Sequence, residues 1–299
     1  MSKIGFIGLG VMGTPMAGHL AGAGHELFVF SVAGVPQSLT RPGVTACANS
    51  AAVAHAAESI IVMVPDTPDV EAVLFGQDGA ADGLSKGKLV IDMSSISPIA
   101  TKRFAAAISD LGCEYLDAPV SGGQVGAENA SLTIMVGGSS DAFERAKPLF
   151  ELMGKNINLI GDHGAGQICK IANQMIVALN IAAVSEAFVF SAAAGVDPEV
   201  VRKALLGGFA SSRVLEVHGS RMTERAFEPG FRIDLHRKDL ANAMDSARAL
   251  AVSLPQTSGV VELMTSAKAM GLGQRDHAAL IQVLELLSQR IFQSHVESN

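Results

Sequence analysis

Tryptophan is absent from this 299-residue chain and tyrosine occurs once, so small side chains rather than aromatic rings must bring its elements together. Basic runs are missing as well. Lys and Arg number 22 against 29 Asp and Glu, and the net charge of −7 with no cationic block excludes a nucleic-acid surface of the usual kind. Cysteine is scarce: Cys47, Cys113 and Cys169 are odd in number and far apart. That excludes a disulfide framework and a CxxC zinc site, and it suits a reducing, cytoplasmic setting. The histidines show neither HExxH nor a compact cluster with Asp or Glu, so no metal is expected. Uninterrupted membrane-type runs are also lacking. Pro15 and His19 break the N-terminal apolar run, and Asn180, Ser185, Glu186 and Ser191 punctuate Met175 to Val196. The latter reads as a helix buried among helical neighbours and across a subunit contact.

What is present is enough apolar residue, 48%, to fill a core, in a chain long enough for two domains. Short, mostly apolar runs bounded by Gly, Pro or polar residues predict buried parallel strands. They fall at Lys3–Ile7, Leu27–Phe30, Ser59–Val64, Leu89–Met93 and Glu114–Leu116. Helical stretches fall between them, at Gly13–Ala23, Asn49–Ala57, Asp69–Leu74 and Ile99–Leu111. This βαβα order predicts an α/β fold with a Rossmann-type doubly wound parallel sheet. Leu132–Val136 and Ile157–Ile160 read as further strands around a helix near Asp141–Met153. From about Ala165 strand signals stop. Ala165–Ala194 reads as one long helix, Asp197-Pro198 opens the next, and more follow at Ser212–Glu224, Leu235–Ala251, Gln256–Ala269 and Asp276–Arg290. The expected division is a dinucleotide-binding domain over residues 1–162 and an all-helical C-terminal domain over 163–299.

Gly8-Leu9-Gly10-Val11-Met12-Gly13 lies directly after a strand and before a helix. Gly8 permits the tight turn, Gly10 lets backbone approach a pyrophosphate, and Gly13 allows close helix–strand packing. In this setting the loop predicts a dinucleotide site. The acid that should hold the adenosine ribose some twenty residues on is missing, because Phe30-Ser31-Val32-Ala33 has none. No arginine follows at once either, the nearest being Arg41. Ser31 can offer one hydrogen bond, and either NAD or NADP fits this strand end. Two more strand ends should face the same crevice: Val64-Pro65 in Met63–Asp66, and Ser95 in Asp92–Ser95.

Ser121-Gly122-Gly123 follows the fifth predicted strand and exposes consecutive backbone N–H groups beside a hydroxyl, a nest suited to a carboxylate. Lys170 and Asn173 share one face of the long helix, which is otherwise small and apolar. Reduction of an aldehyde leaves negative charge on oxygen, and a desolvated lysine can supply the proton that oxygen needs. His236-Arg237-Lys238-Asp239 is a dense charge cluster whose simplest reading is a solvated helix turn; its functional reading is a wall over the cofactor.

Four motifs in order resemble the 3-hydroxyisobutyrate dehydrogenase-like β-hydroxyacid dehydrogenase family. They are Gly5–Gly10 through Pro15-Met16-Ala17, Asp117–Gly123, Gly166–Asn173 and Lys238-Asp239-Leu240. Met63–Pro68, Asp92–Pro98 and Gly207–Arg213 are similar to the branch that reduces tartronate semialdehyde to glycerate. The resemblance implies Lys170 as the catalytic lysine and Ser121, Gly122 and Gly123 as the loop for the substrate carboxylate. It implies Asn173 as a substrate contact, Ser95 as a cofactor contact and Lys238 as a lysine beside the nicotinamide. It also implies NAD(H) or NADP(H) as cofactor and a homodimer or homotetramer. A branched-acid dehydrogenase of the same family and a non-catalytic dinucleotide-sensing protein are the alternatives; Lys170 argues against the second. His19 departs from the Asn found there in many relatives.

Overall fold

The structure, a computed structural model, describes residues 1–291. The chain divides into two compact units, Met1–Lys170 and Ile171–Asn299.

The first unit alternates strand and helix: β1 (Lys3–Ile7), α1 (Gly13–Gly22), β2 (Glu26–Phe30), β3 (Val44–Ala46), α2 (Ser50–Ala56), β4 (Ser59–Val62), α3 (Thr67–Phe75), β5 (Leu89–Asp92), α4 (Pro98–Asp110), β6 (Glu114–Asp117), β7 (Val120–Ser121), α5 (Gly123–Glu128), β8 (Leu132–Gly137), α6 (Ser140–Phe150) and β9 (Gly154–Gly161). The sheet order is β3-β2-β1-β4-β5-β6-β8-β7, with β9 against β8. From β3 to β6 all neighbours are parallel. β8 runs antiparallel to β6 and β7, so the far edge is mixed.

Alternation along the strands divides the core between two faces. Ile4, Phe6, Ile61, Leu89 and Ile91 pack with Met16 and Leu20 of α1 and with Ala142 and Phe150 of α6. Ile7, Ile60, Val62 and Val90 pack on the other face with Val53, Val70 and Phe104 of α2, α3 and α4. Strands buried on both faces read as continuous apolar runs, which is why the sequence exposes them. Two strands and a helix escape that reading. β3 has three residues, two of them exposed, β7 has two residues, and α5 lies in the stretch expected to be an open glycine loop.

Helix α7 (Ala165–Ala193) begins in the first unit and continues into the second. It is followed by α8 (Pro198–Leu205), α9 (Arg213–Thr223), α10 (Ile233–Leu250), α11 (Pro255–Ala269) and α12 (Ile281–Leu287). Asp197 caps α8 through the Glu199 N–H, with Pro198 in the first turn. The helix expected over Asp276–Arg290 starts later. Asp276 accepts from the Ala278 N–H, a 3₁₀ turn spans His277–Leu280, and α12 ends at Leu287.

By length and composition α7 could cross a membrane. Its buried side reads instead as a core helix: Ala178, Ile181, Phe188 and Val189 pack with Leu215, Met222, Leu240 and Met264. Gln174 and Ser185 are buried on the same helix. Burial is one-sided within the chain, because Ile176 and Phe190 are 62% and 77% exposed. The expected burial among helical neighbours is thus met on its inner face, and the expected subunit contact concerns the exposed one.

Candidate active site

The order in which strands are added reverses between β1 and β4, which lie parallel, and the crevice beyond their carboxyl ends is where a doubly wound sheet receives a ligand. The glycine loop occupies that place. Gly8 has φ +98°, donates its N–H to the Phe30 carbonyl at 2.9 Å, and would drive a Cβ into the Met63 carbonyl. A Cβ on Gly13 would overlap the Gly8 carbonyl oxygen, whereas one on Gly10 meets nothing within 4 Å. Helix α1 starts at Met12 with no side-chain cap and no acid in its first turn. The positive end of a helix with no acid in its first turn, reached across an exposed glycine, suits a pyrophosphate. The residues fit a dinucleotide.

Neighbouring strand ends are tied to this loop. Ser31 directly follows Phe30, whose carbonyl takes the Gly8 N–H. Arg41 is committed elsewhere, its guanidinium donating to the Gly18 carbonyl of α1 at 2.7 Å. The Val64 N–H donates to Ser94 Oγ at 3.0 Å, which joins the ends of β4 and β5 and with them Val64, Pro65 and Ser95. The Ser121 stretch is the end of β7 followed by the first turn of α5, with Gly122 at φ +135° and Gly123 at φ +61°. His19 Nε2 bonds the Ala127 carbonyl at 2.9 Å and so ties α1 to α5.

Two buried aspartates close β5 and β6, and sequence reasoning missed both. Asp117 accepts from the Gly164 N–H at 2.7 Å and from the Gln167 N–H at 2.9 Å, so its carboxylate holds the start of α7. Burial pushes its carboxyl above the ordinary range against the pull of those two N–H groups. Gln167 then spends its side chain on the β5 end, accepting from the Ile96 N–H at 3.0 Å and donating to the Ser94 carbonyl at 2.8 Å. Lys170 lies three residues further along α7 and is 7% exposed. Ser95 and Lys170 are thus carried by segments that one glutamine joins.

Asp92 is fully buried, accepting from the Ser94 N–H at 2.9 Å and the Tyr115 hydroxyl at 2.9 Å. Burial raises its carboxyl to about 6, against the Ser94 and Tyr115 bonds that favour the anion. A carboxyl raised on folding stabilises the fold below its unfolded value of 3.8, and that contribution is lost as pH rises through about 6. At higher pH the buried anion costs about 3 kcal/mol. Asp92→Asn keeps an oxygen for Ser94 and an amide for the Tyr115 oxygen. It is expected to raise stability by up to about 3 kcal/mol at about pH 8 and to leave it near wild type at about pH 4. Urea melts at the two pH values measure this; an equal change at both contradicts the titration.

In the second unit, the charge cluster whose simplest reading in isolation is a solvated turn has two buried and two half-buried residues. His236 is 0% and Asp239 4% exposed. Lys238 Nζ pairs with Asp239 Oδ1 at 2.8 Å, and Gln174 Nε2 donates to Asp239 Oδ2 at 2.6 Å. Asn173 Nδ2 donates to Gln174 Oε1 at 2.8 Å. Asn173 and Lys238, 65 residues apart, therefore belong to one hydrogen-bonded chain, which local charge density could not reveal.

A row of imidazoles runs from the same place. His236 Nε2 bonds the Gln174 carbonyl at 3.0 Å, His236 Nδ1 meets His277 Nδ1 at 2.9 Å, and His277 Nε2 meets His218 Nε2 at 3.2 Å. His218, Asp276 and His277 bring ligand-type atoms within 4.8 Å of one another, a cluster that sequence spacing does not reveal. The carboxylate of this set is already engaged. Arg221 lies 2.8 Å from Asp276 Oδ2, which also accepts from the Gly230 and Phe231 N–H groups, and its cation opposes a second one.

Residues 3–161 match the family described as the NAD binding domain of 6-phosphogluconate dehydrogenase, and residues 164–284 the NAD-binding region of NADP-dependent 3-hydroxyisobutyrate dehydrogenase. The 2-hydroxy-3-oxopropionate reductase of Escherichia coli (strain K12) is 57% identical over 286 residues, covering 96% of this chain and 98% of its own. The 2-(hydroxymethyl)glutarate dehydrogenase of Eubacterium barkeri is 37% identical, with 96% of each chain covered. Among solved structures, the 3-hydroxyisobutyrate dehydrogenase of Mycobacterium tuberculosis superposes with a TM-score of 0.86 at 31% identity, covering 95% of this chain and 99% of that one.

Proposed function

The chain belongs to the β-hydroxyacid dehydrogenase family of NAD-dependent oxidoreductases, and from that premise we propose that it reduces tartronate semialdehyde (2-hydroxy-3-oxopropionate) to glycerate, with Lys170 as the proton donor. The observation that carries the reading is the placing of Lys170. It is a 7%-exposed ammonium one turn beyond Gln167, on a helix start that Asp117 holds by two backbone N–H groups. A lysine is rarely buried unless it has partners or chemistry to perform.

Gly8, Leu9, Gly10, Val11, Met12 and Gly13 would hold the pyrophosphate of the cofactor, Ser31 its adenosine ribose, and Val64, Pro65, Ser95 and Lys238 the portion nearer the nicotinamide. When bound, that cofactor supplies a hydride to the aldehyde carbon. The chain's own residues do the remaining work. Ser121, Gly122 and Gly123 fix the substrate carboxylate through a hydroxyl and backbone N–H groups, and Asn173 receives the neighbouring hydroxyl. Lys170 orients the aldehyde oxygen and gives it a proton as negative charge develops there. Either NADH or NADPH serves, since β2 ends without an acid to hold ribose hydroxyls or repel a phosphate.

Methylmalonate semialdehyde separates this reading from that of a branched-acid dehydrogenase. It has a methyl where tartronate semialdehyde has a hydroxyl. A methyl leaves the polar group that should meet the hydroxyl unpaired, at about 1–3 kcal/mol. The expected result is a kcat/KM at least about tenfold higher for tartronate semialdehyde, with the same enzyme, cofactor and pH. Equal values, or preference for the methylated aldehyde, move the assignment to the branched-acid group.

A further inference from the structure

Beside Asn173 sits a buried amide whose orientation is dictated from its far end. The Asp239 carboxylate, paired with Lys238, has no proton to donate, so it can only accept. Gln174 therefore turns its Nε2 to Asp239, at 2.6 Å. With that end committed, its Oε1 faces Asn173, and Asn173 Nδ2 donates to it at 2.8 Å. An amide has one donor end and one acceptor end, so polarity passes along the chain from Asp239 through Gln174 to Asn173. Asn173 has its nitrogen end engaged, and its Oδ1, an acceptor, is the end turned away. The backbone of Gln174 is held too, its carbonyl accepting from His236. Gln174 and Asp239 are both buried, so water competes little with these contacts.

We propose that Gln174 is a specificity-determining positioning residue. It fixes the Asn173 amide so that a carbonyl oxygen meets the substrate, which selects a semialdehyde with a hydrogen-bond donor on the carbon between carboxylate and aldehyde. The inference rests on the tartronate semialdehyde reading above. A hydroxyl on that carbon donates to Oδ1, whereas a methyl leaves the oxygen unpaired.

The test compares kcat/KM for tartronate and methylmalonate semialdehydes in the wild type, Gln174→Met, Asn173→Ala and the double variant. Methionine keeps the length of glutamine without its polar ends. The wild-type preference of about tenfold or more is expected to fall to about threefold or less in each single variant. The double variant should fall no further, because both changes act through one contact. Equal losses on both aldehydes in Gln174→Met, or additive effects in the double variant, overturn the proposal. Gln174→Glu gives a second route should the methionine variant not fold. A glutamic acid keeps an oxygen to accept from Asn173 Nδ2, protonated or ionised, so at about pH 6 it should keep the wild-type preference. Using the ratio of the two substrates cancels ionisations common to both. A ratio that falls to about threefold or less in the glutamate variant overturns the proposal. A wild type with no preference overturns the substrate reading and this inference with it. A preference lost in Asn173→Ala but kept in Gln174→Met overturns the inference alone.

Discussion

Replacing Lys170 by alanine is expected to lower kcat by about 10²–10⁴ while cofactor binding persists, the loss that removal of a general acid produces. That range corresponds to about 3–5.5 kcal/mol of barrier. Alanine is the best helix former, so α7 should keep its course. The glycine loop proposed to hold the pyrophosphate, Gly8 to Gly13, lies in a separate stretch, so dinucleotide binding should persist. Lys170→Arg separates charge from proton transfer. A guanidinium keeps the positive charge but holds its proton at neutral pH, so this variant should remain slow. Added methylamine should restore part of the rate of the alanine variant, where space for it has been opened. Single-turnover measurements read the step directly. Wild-type turnover in the alanine variant would falsify Lys170 as the donor.

Asp117→Ala is the second large effect, expected in stability. Its carboxylate is the acceptor for two buried N–H groups at the start of α7. Each deprived of its partner costs about 1–3 kcal/mol, so the variant should lose about 2–6 kcal/mol. A Cβ on Gly137 or Gly166 would lie 2.6 Å or 2.8 Å from an Asp117 carboxylate oxygen, so this carboxylate is packed as closely as it is bonded. Asp117→Asn should recover only part of the loss, since its amide nitrogen would face one of the two N–H groups. Turnover should fall as well, because Lys170 rides on the helix start that Asp117 holds. Urea melts and turnover together test the assignment; a loss under about 1 kcal/mol in the alanine variant contradicts it.

The two variants also mark what a reader of the sequence can reach. The loop from Gly8 to Gly13 is legible because its strand, its glycines and its helix are contiguous, and each glycine answers a local steric demand. Lys170 and Asn173 are legible because helical spacing puts them on one face. Asp117 is not, since its partners Gly164 and Gln167 lie 47 and 50 residues away. His236 to Asp239 looked like a wet turn for the same reason: the groups that bury and bond it come from α7 and from the 3₁₀ turn at His277. α5 was hidden by its glycines, which read as a loop although Gly122 starts a helix. β3 and β7 are too short to show a period.

The imidazole row has a built-in direction. A carbonyl can only accept, so His236 must carry its proton on Nε2 where it meets Gln174. With all three rings neutral, His236 Nδ1 is then bare, His277 bears its hydrogen on Nδ1, and His218 bears its own on Nε2. One tautomer at the α7 end thereby fixes every other. The last lone pair, His218 Nδ1, is buried without a hydrogen-bond partner and lies 3.7 Å from Asp276 Oδ1. Burial, together with the flanking His236 and His218 rings, holds the His277 imidazole well below its usual range, so the middle of the row resists a charge. The row thus runs from a backbone carbonyl at α7, through a ring that resists charge, to a lone pair that faces a carboxylate.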